Sequence, residues 1–280
     1  MRALVPATFF AVLLTANACV VEIKELVVGG GGAPCPDDMV HARHDNFPDV
    51  SFCIDRTEVT RAAYVAFLLA VSSDVAQTEQ PAECAFNTEL THFGSGTNCP
   101  DFSTAEDLPV NCVDWCDAYA YCAHVGKRLC GSLDGGAALA IDAPVTGDEW
   151  QFACSAGFQQ AYPYGDTGEI CACYLPEEWD SKMMCDYMSI QTYNYKVAVM
   201  SLPGCEGGFP GIFDMQGNAS EWTARCEPGN GDGEENCVVR GGSTWSADGS
   251  NWFRCDNLQQ QAKRNATIID PGIRCCRDAN

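Results

Sequence analysis

Polar and apolar positions alternate along "SFCIDRTEVT", residues 51–60, which is also rich in β-branched residues. That pattern predicts a strand with one buried face. In "RAAYVAFLLAV", residues 61–71, the period changes to helical spacing, with Thr60 placed as an N-cap. Residues 75–108 are polar and contain Cys84 and Cys99, as expected of a pinned loop. "VDWCDAYAYCAHVGKRLCG" predicts a second helix, opening at Asp114 and ending near Gly126. "TGDEWQFACSAG" predicts a short third helix that starts at Thr146 or Asp148. From Phe158 to Gly211 the chain is rich in Gly, Pro, Tyr and Cys, with no sustained period. "GIFDMQGNASEWT" begins apolar, turns at Gly217-Asn218 and resumes as a strand through Trp222. "CVVRGGSTW" and "PGIRCCRD" read as two further strands. There is no internal repeat. Loops exceed regular structure, and disulfides or bound ions would offset their entropy cost.

The first residues, "MRALVPATFFAVLLTANAC", join a positive Arg2, an apolar run from Leu4 to Leu14 and the small-x-small triplet Ala16-Asn17-Ala18. This predicts a secretory signal over 1–18, too short for a membrane span; a buried first helix is the alternative. Cys19 stands where a bacterial lipoprotein is cut and lipidated, although Ala16 replaces the leucine expected three positions upstream. Residues 19–34, with "VVGGGGAP" at 27–34, read as a tether, and residues 35–280 as the folded domain. The predicted destination is therefore outside the cytoplasm, either secreted or held at the cell envelope. Any membrane association would run through a lipid on Cys19.

A length of 280 residues suits one large domain or two small ones. Net charge is −22, which repels phosphate backbones and argues against nucleic-acid binding. Export makes the 19 cysteines legible. Setting Cys19 aside leaves an even number, and an oxidising compartment favours disulfides among them. Zinc is the alternative, but the close pairs Cys112/Cys116, Cys171/Cys173 and Cys275/Cys276 lack the matching second pairs or histidines. The four histidines, His41, His44, His92 and His124, are scattered. Cys226 and Cys237 are placed to close a local acidic loop. Cys84 with Cys99 and Cys116 with Cys130 are further candidate pairs.

Five blocks stand in order: "FCIDRTEVTRAAYVAF", "LPVNCVDWCDAYAYCAHVGKRL", "GDEWQFACSAG", "GIFDMQGNASEWT" and "VVRGGSTW…IDPGIRC". Together, over roughly residues 50–277, they resemble the sulfatase-modifying-factor family, the formylglycine-generating enzymes. The resemblance implies an α+β, loop-rich variant of the C-type lectin fold. It also implies an oxidase that converts a protein cysteine to formylglycine with oxygen and a copper(I) ion held by two thiolates. The family's copper positions carry Ser246 and Asn251 in this chain. A hydroxyl and an amide make no thiolate pair, so copper is not expected. The family tryptophan beside the oxygen pocket is Ser220, whereas Ser243 matches the family serine. An iron-dependent branch of the family needs a histidine cluster that this chain lacks.

The resemblance implies calcium at Asp214, Gly217, Ala219 and Glu221, through two side chains and two backbone carbonyls, a hard-oxygen set that suits the ion. The residues alone read more simply, with Asp214 starting a turn and Glu221 in solvent. A second family calcium site would fall at 172–188, where no ligand pattern is recognisable. The resemblance also implies the disulfides Cys122–Cys275 and Cys154–Cys255. Of two sequons, Asn218-Ala219-Ser220 lies inside the calcium turn and is expected to stay bare; the other is Asn265-Ala266-Thr267. The acidic stretch Glu221–Asn236 reads as a solvated hairpin tip, and "VGKRL" lacks the glycines of a phosphate loop. Two functions follow. One is a non-catalytic binding or scaffold domain for a protein, a peptide or a glycan. The other is a formylglycine-generating oxidase or a divergent enzyme on that fold. Direct sugar binding through a lectin calcium site has no supporting tripeptide.

Overall fold

The computed structural model describes residues 34–90, 106–134, 139–140, 147–166, 196–242, 253–258, 260–268 and 271–280. The predicted signal and tether, Cys19 included, lie outside the described residues, except for Pro34. Among the described residues no helix is long and apolar enough to cross a membrane.

Strand β1 (Met39–His44) and strand β2 (Phe47–Asp55) form an antiparallel hairpin, in register from Met39 opposite Asp55. The predicted strand over 51–60 is thus displaced towards the N-terminus. Beyond Asp55 the backbone leaves the ladder: Arg56 accepts through its carbonyl from Phe213 N, and Val59 N donates to Ile273 O. Helix α1 (Arg61–Ala70) follows, with Thr60 Oγ1 accepting from Ala63 N at 3.2 Å, as the pattern predicts. Tyr64, Phe67 and Leu68 give it a buried face.

Helix α2 (Trp115–His124) carries a reciprocal cap in which Asp114 accepts from Asp117 N while Asp117 accepts from Asp114 N. It ends two residues before Gly126, whose φ of 72° is the left-handed turn that glycine favours. Strand β3 (Arg128–Leu129) follows, then β4 (Leu139–Ala140) and helix α3 (Glu149–Cys154). Asp148, not Thr146, caps α3 by accepting from Gln151 N. Strands β5 (Ser220–Cys226), β6 (Asn236–Arg240) and β7 (Gln261–Lys263) come next.

"PGIRCCRD" is not one strand. Pro271–Gly272, strand β8, runs parallel to β5, whereas Cys275–Asp278, strand β9, lies between β2 and β3. Two sheets result, one ordered β1-β2-β9-β3 and the other β4-β5-β6-β7 with β8 beside β5. Ile273 and Arg274 are the link between them. Ile273 enters a core shared with α1, α2 and Trp222, and Arg274 is fully buried. A second core joins Phe52, Ile54, Trp150, Phe152 and Met215.

Disulfides hold the loops to this frame. Cys122 is bonded to Cys275, Cys154 to Cys255 and Cys226 to Cys237. Cys35 is bonded to Cys53. Two of the expected pairs are corrected. Cys84 bonds Cys116 rather than Cys99, because the short turn Ala82–Cys84 rests against the start of α2, where Asn87 also donates to Asp117. Cys130 bonds Cys276, because β3 pairs with β9 and delivers the next residue beside it. Cys99 lies outside the described residues. Cys112 and Cys205 are also disulfide-bonded, so every cysteine among the described residues is oxidised.

Candidate functional site

The turn Asp214–Glu221 sits where the two sheets meet. Glycine at 217 has φ 81°, and Asp214 and Asn218 adopt φ of 61° and 54°, the left-handed region that Asp and Asn enter more readily than other non-glycine residues. Such backbone is held by its surroundings. Gly217 N donates to Gly241 O at 2.9 Å, and the turn packs on Gly241, where an added Cβ would meet Met215 O at 3.1 Å. Asp214 Oδ2 accepts from Met200 N at 2.7 Å. Asn218 donates to Val197 O and accepts from Val197 N. This leaves the Asn218 sequon buried and its amide occupied.

Glu221 does not face solvent, as the residues alone suggested; it is 1% exposed. Its Oε1 accepts from Arg274 Nε at 2.8 Å, and its Oε2 accepts from Trp150 Nε1. Arg274 also donates to the carbonyls of Asp55 and Phe213. A third carboxylate stands beside them. Glu58, 1% exposed, accepts from Ala219 N and from Asn218 Nδ2, both at 2.8 Å. Three buried carboxylates therefore lie near one guanidinium. Burial pushes the Glu58 carboxyl well above its ordinary range, and the charges of Asp214 and Glu221 push it further. Burial also raises Asp214 and Glu221, opposed in each by Arg274. Among the described residues no three carboxylate, imidazole or thiol groups converge on one point as a ready ligand set.

So the structure brings Asp214, Gly217, Ala219 and Glu221 into one turn, and adds Glu58 and Arg274, which sequence reasoning missed. Glu58 lies 163 positions before Glu221 and carries no local signal. In the same turn the side chains of Gln216 and Ser220 are fully buried without hydrogen-bond partners. Ser243, Ser246 and Asn251 lie outside the described residues, as does the 172–188 segment. Arg240, just before them, is buried and joins Asp148 Oδ2 at 2.7 Å and the Cys255 carbonyl at 3.1 Å. Cys255, bonded to Cys154, is structural. The acidic stretch forms an open cleft lined by Glu227, Asn230, Asp232, Glu234 and Glu235. Its carboxylates are occupied: Glu227 accepts from Asn236, Glu235 from Asn230 N and Glu234 from Asn265.

The chain is similar in sequence to several known proteins. A mouse protein named inactive C-alpha-formylglycine-generating enzyme 2 is 32% identical over 205 residues, covering 71% of this chain and 57% of that protein. Its cattle counterpart is 30% identical over 203 residues, covering 71% and 58%. The chain thus spans a little over half the length of these relatives. Cattle formylglycine-generating enzyme is 28% identical over 119 residues, covering 42% of this chain and 27% of that protein. Among solved structures, CarF overlays with a TM-score of 0.48 at 20% identity, covering 82% and 87% of the two chains. PvdO from Pseudomonas aeruginosa overlays with 0.48 at 21%, covering 81% and 80%. The model of the sulfatase-modifying factor enzyme 1-like domain matches residues 18–279. The fold is the α+β, C-type lectin-like architecture of that family, and the chain belongs to the sulfatase-modifying factor family.

Proposed function

We propose that this is a non-catalytic member of its family, an exported domain that binds or scaffolds a protein or peptide partner. One observation carries the reading: Ser246 and Asn251 occupy the positions where the family's oxidases hold copper(I). Soft thiolates select that ion, and a hydroxyl with an amide does not replace them. Every cysteine among the described residues is spent in a disulfide, which supports the same reading. So does the name of the mouse relative, which calls that protein inactive. Extensive disulfide bonding and the "MRALVPATFFAVLLTANAC" leader support export, with a lipid on Cys19 as the means of tethering. A net charge of −22 favours a basic partner, whose association would weaken with salt.

The turn Asp214–Glu221 is read as a structural calcium site. The donors suit it: two carboxylates, on Asp214 and Glu221, and the carbonyls of Gly217 and Ala219 are hard oxygens. Three buried carboxyl groups stand near one guanidinium, and a divalent cation beside them would favour their ionised form. Calcium bound here would stitch the turn to the sheet junction, with Glu221 still held by Arg274.

The decisive assay incubates the purified chain with copper(I), oxygen and a peptide carrying Cys-x-Pro-x-Arg. No loss of mass at the peptide cysteine is expected; conversion to formylglycine would overturn the non-catalytic reading. A copper(I) titration is expected to find no tight site.

A further inference from the structure

We infer that Glu58 is the positioning residue of the calcium turn: it pins the central peptide of the turn from outside it. This rests on the calcium reading above and extends it to a residue outside the turn.

Glu58 belongs to no strand or helix. It sits between β2 and α1, and the backbone on either side is fixed: Arg56 O accepts from Phe213 N, and Val59 N donates to Ile273 O, both at 2.8 Å. The side chain is thereby held over the turn. One oxygen accepts from Ala219 N and the other from Asn218 Nδ2, each at 2.8 Å. The Asn218–Ala219 peptide stands between the two carbonyls, of Gly217 and Ala219, that would face the ion. Fixing the middle plane constrains both flanking planes. Residues that orient metal ligands from behind typically alter affinity by about 10–100-fold when changed.

The test compares the wild-type chain with Glu58→Gln, which keeps the shape and one acceptor oxygen but turns the other into a donor. Exposed Asp49→Asn serves as the control for net charge. Calcium affinity is read by calorimetry, and the thermal midpoint is read with calcium and with chelator. Glu58→Gln is expected to bind calcium about 10-fold or more weakly and to lose most of the calcium-dependent rise in midpoint, while Asp49→Asn behaves as wild type. Wild-type affinity in Glu58→Gln would overturn the role of Glu58 and leave the calcium site standing. Absence of calcium binding in the wild type would overturn both. Should Glu58→Gln not fold, Glu58→Asp tests the clamp: its carboxylate is one methylene shorter and no longer reaches both Ala219 N and Asn218 Nδ2. A weaker calcium affinity supports the clamp, and an unchanged one overturns it.

Discussion

Arg274 Nε meets Glu221 Oε1 at 2.8 Å in the buried seam between the two sheets, one residue from the link after β8 and the other from β5. Neither side chain is more than 1% exposed. Replacing one partner of such a pair leaves the other charged in the interior, which costs about 3–5 kcal/mol. Arg274→Leu also strips donors from the Asp55 and Phe213 carbonyls. Its urea midpoint is expected to fall by an amount corresponding to at least 3 kcal/mol. A loss below about 1 kcal/mol, the scale of an exposed ion pair, would mean that the seam is wet.

The reciprocal cap of α2 predicts a pH dependence. Asp114 is raised from its ordinary value to about 8, by burial first and by the nearby Asp117 second. A carboxyl whose folded-state pKa lies above its unfolded value stabilises fully at low pH. That contribution is lost as pH climbs from the unfolded value, near 4, through about 8. The thermal midpoint is therefore expected to fall between pH 5 and pH 8.5 through this group. Asn caps a helix as well as Asp does, so Asp114→Asn should fold and show a flatter profile over that range. A profile as steep as the wild type would assign the dependence to other groups.

Disulfide mapping of a non-reduced digest is expected to find Cys84 joined to Cys116 and Cys130 to Cys276. Removing the second bond as Cys130→Ala with Cys276→Ala should cost about 3 kcal/mol on the chain-entropy account, because the intact Cys122–Cys275 bond already closes the long loop and leaves this one only a short further ring. A cost near zero would mean that the β3–β9 pairing holds the segment without it.

How much of this was legible in the sequence depends on how far apart the partners lie. Helix α2 and its Asp114 cap are local and follow from spacing. Thr60 and α1 do as well. The split of "PGIRCCRD" into β8 and β9 does not, because an apolar run reads alike whether it serves one sheet or two. What breaks it is Arg274, whose partner is 53 positions away. The turn at Gly217-Asn218 was readable from residue type, but the burial of Glu221 was not, since nothing near it in the chain announces Trp150 or Arg274. Glu58 is the clearest case. Its alternating neighbours suggested a strand, and only the fold reveals the turn 160 positions away that it holds.

Cys275 and Cys276 are neighbours bound to different places, one to α2 and one to the residue after β3. Their mates are made more than 140 residues earlier. During synthesis both earlier thiols must wait, exposed to whatever oxidant and isomerase the compartment offers. A chain stalled before β9 would carry two unclaimed sulfurs, free to join each other or the wrong mate.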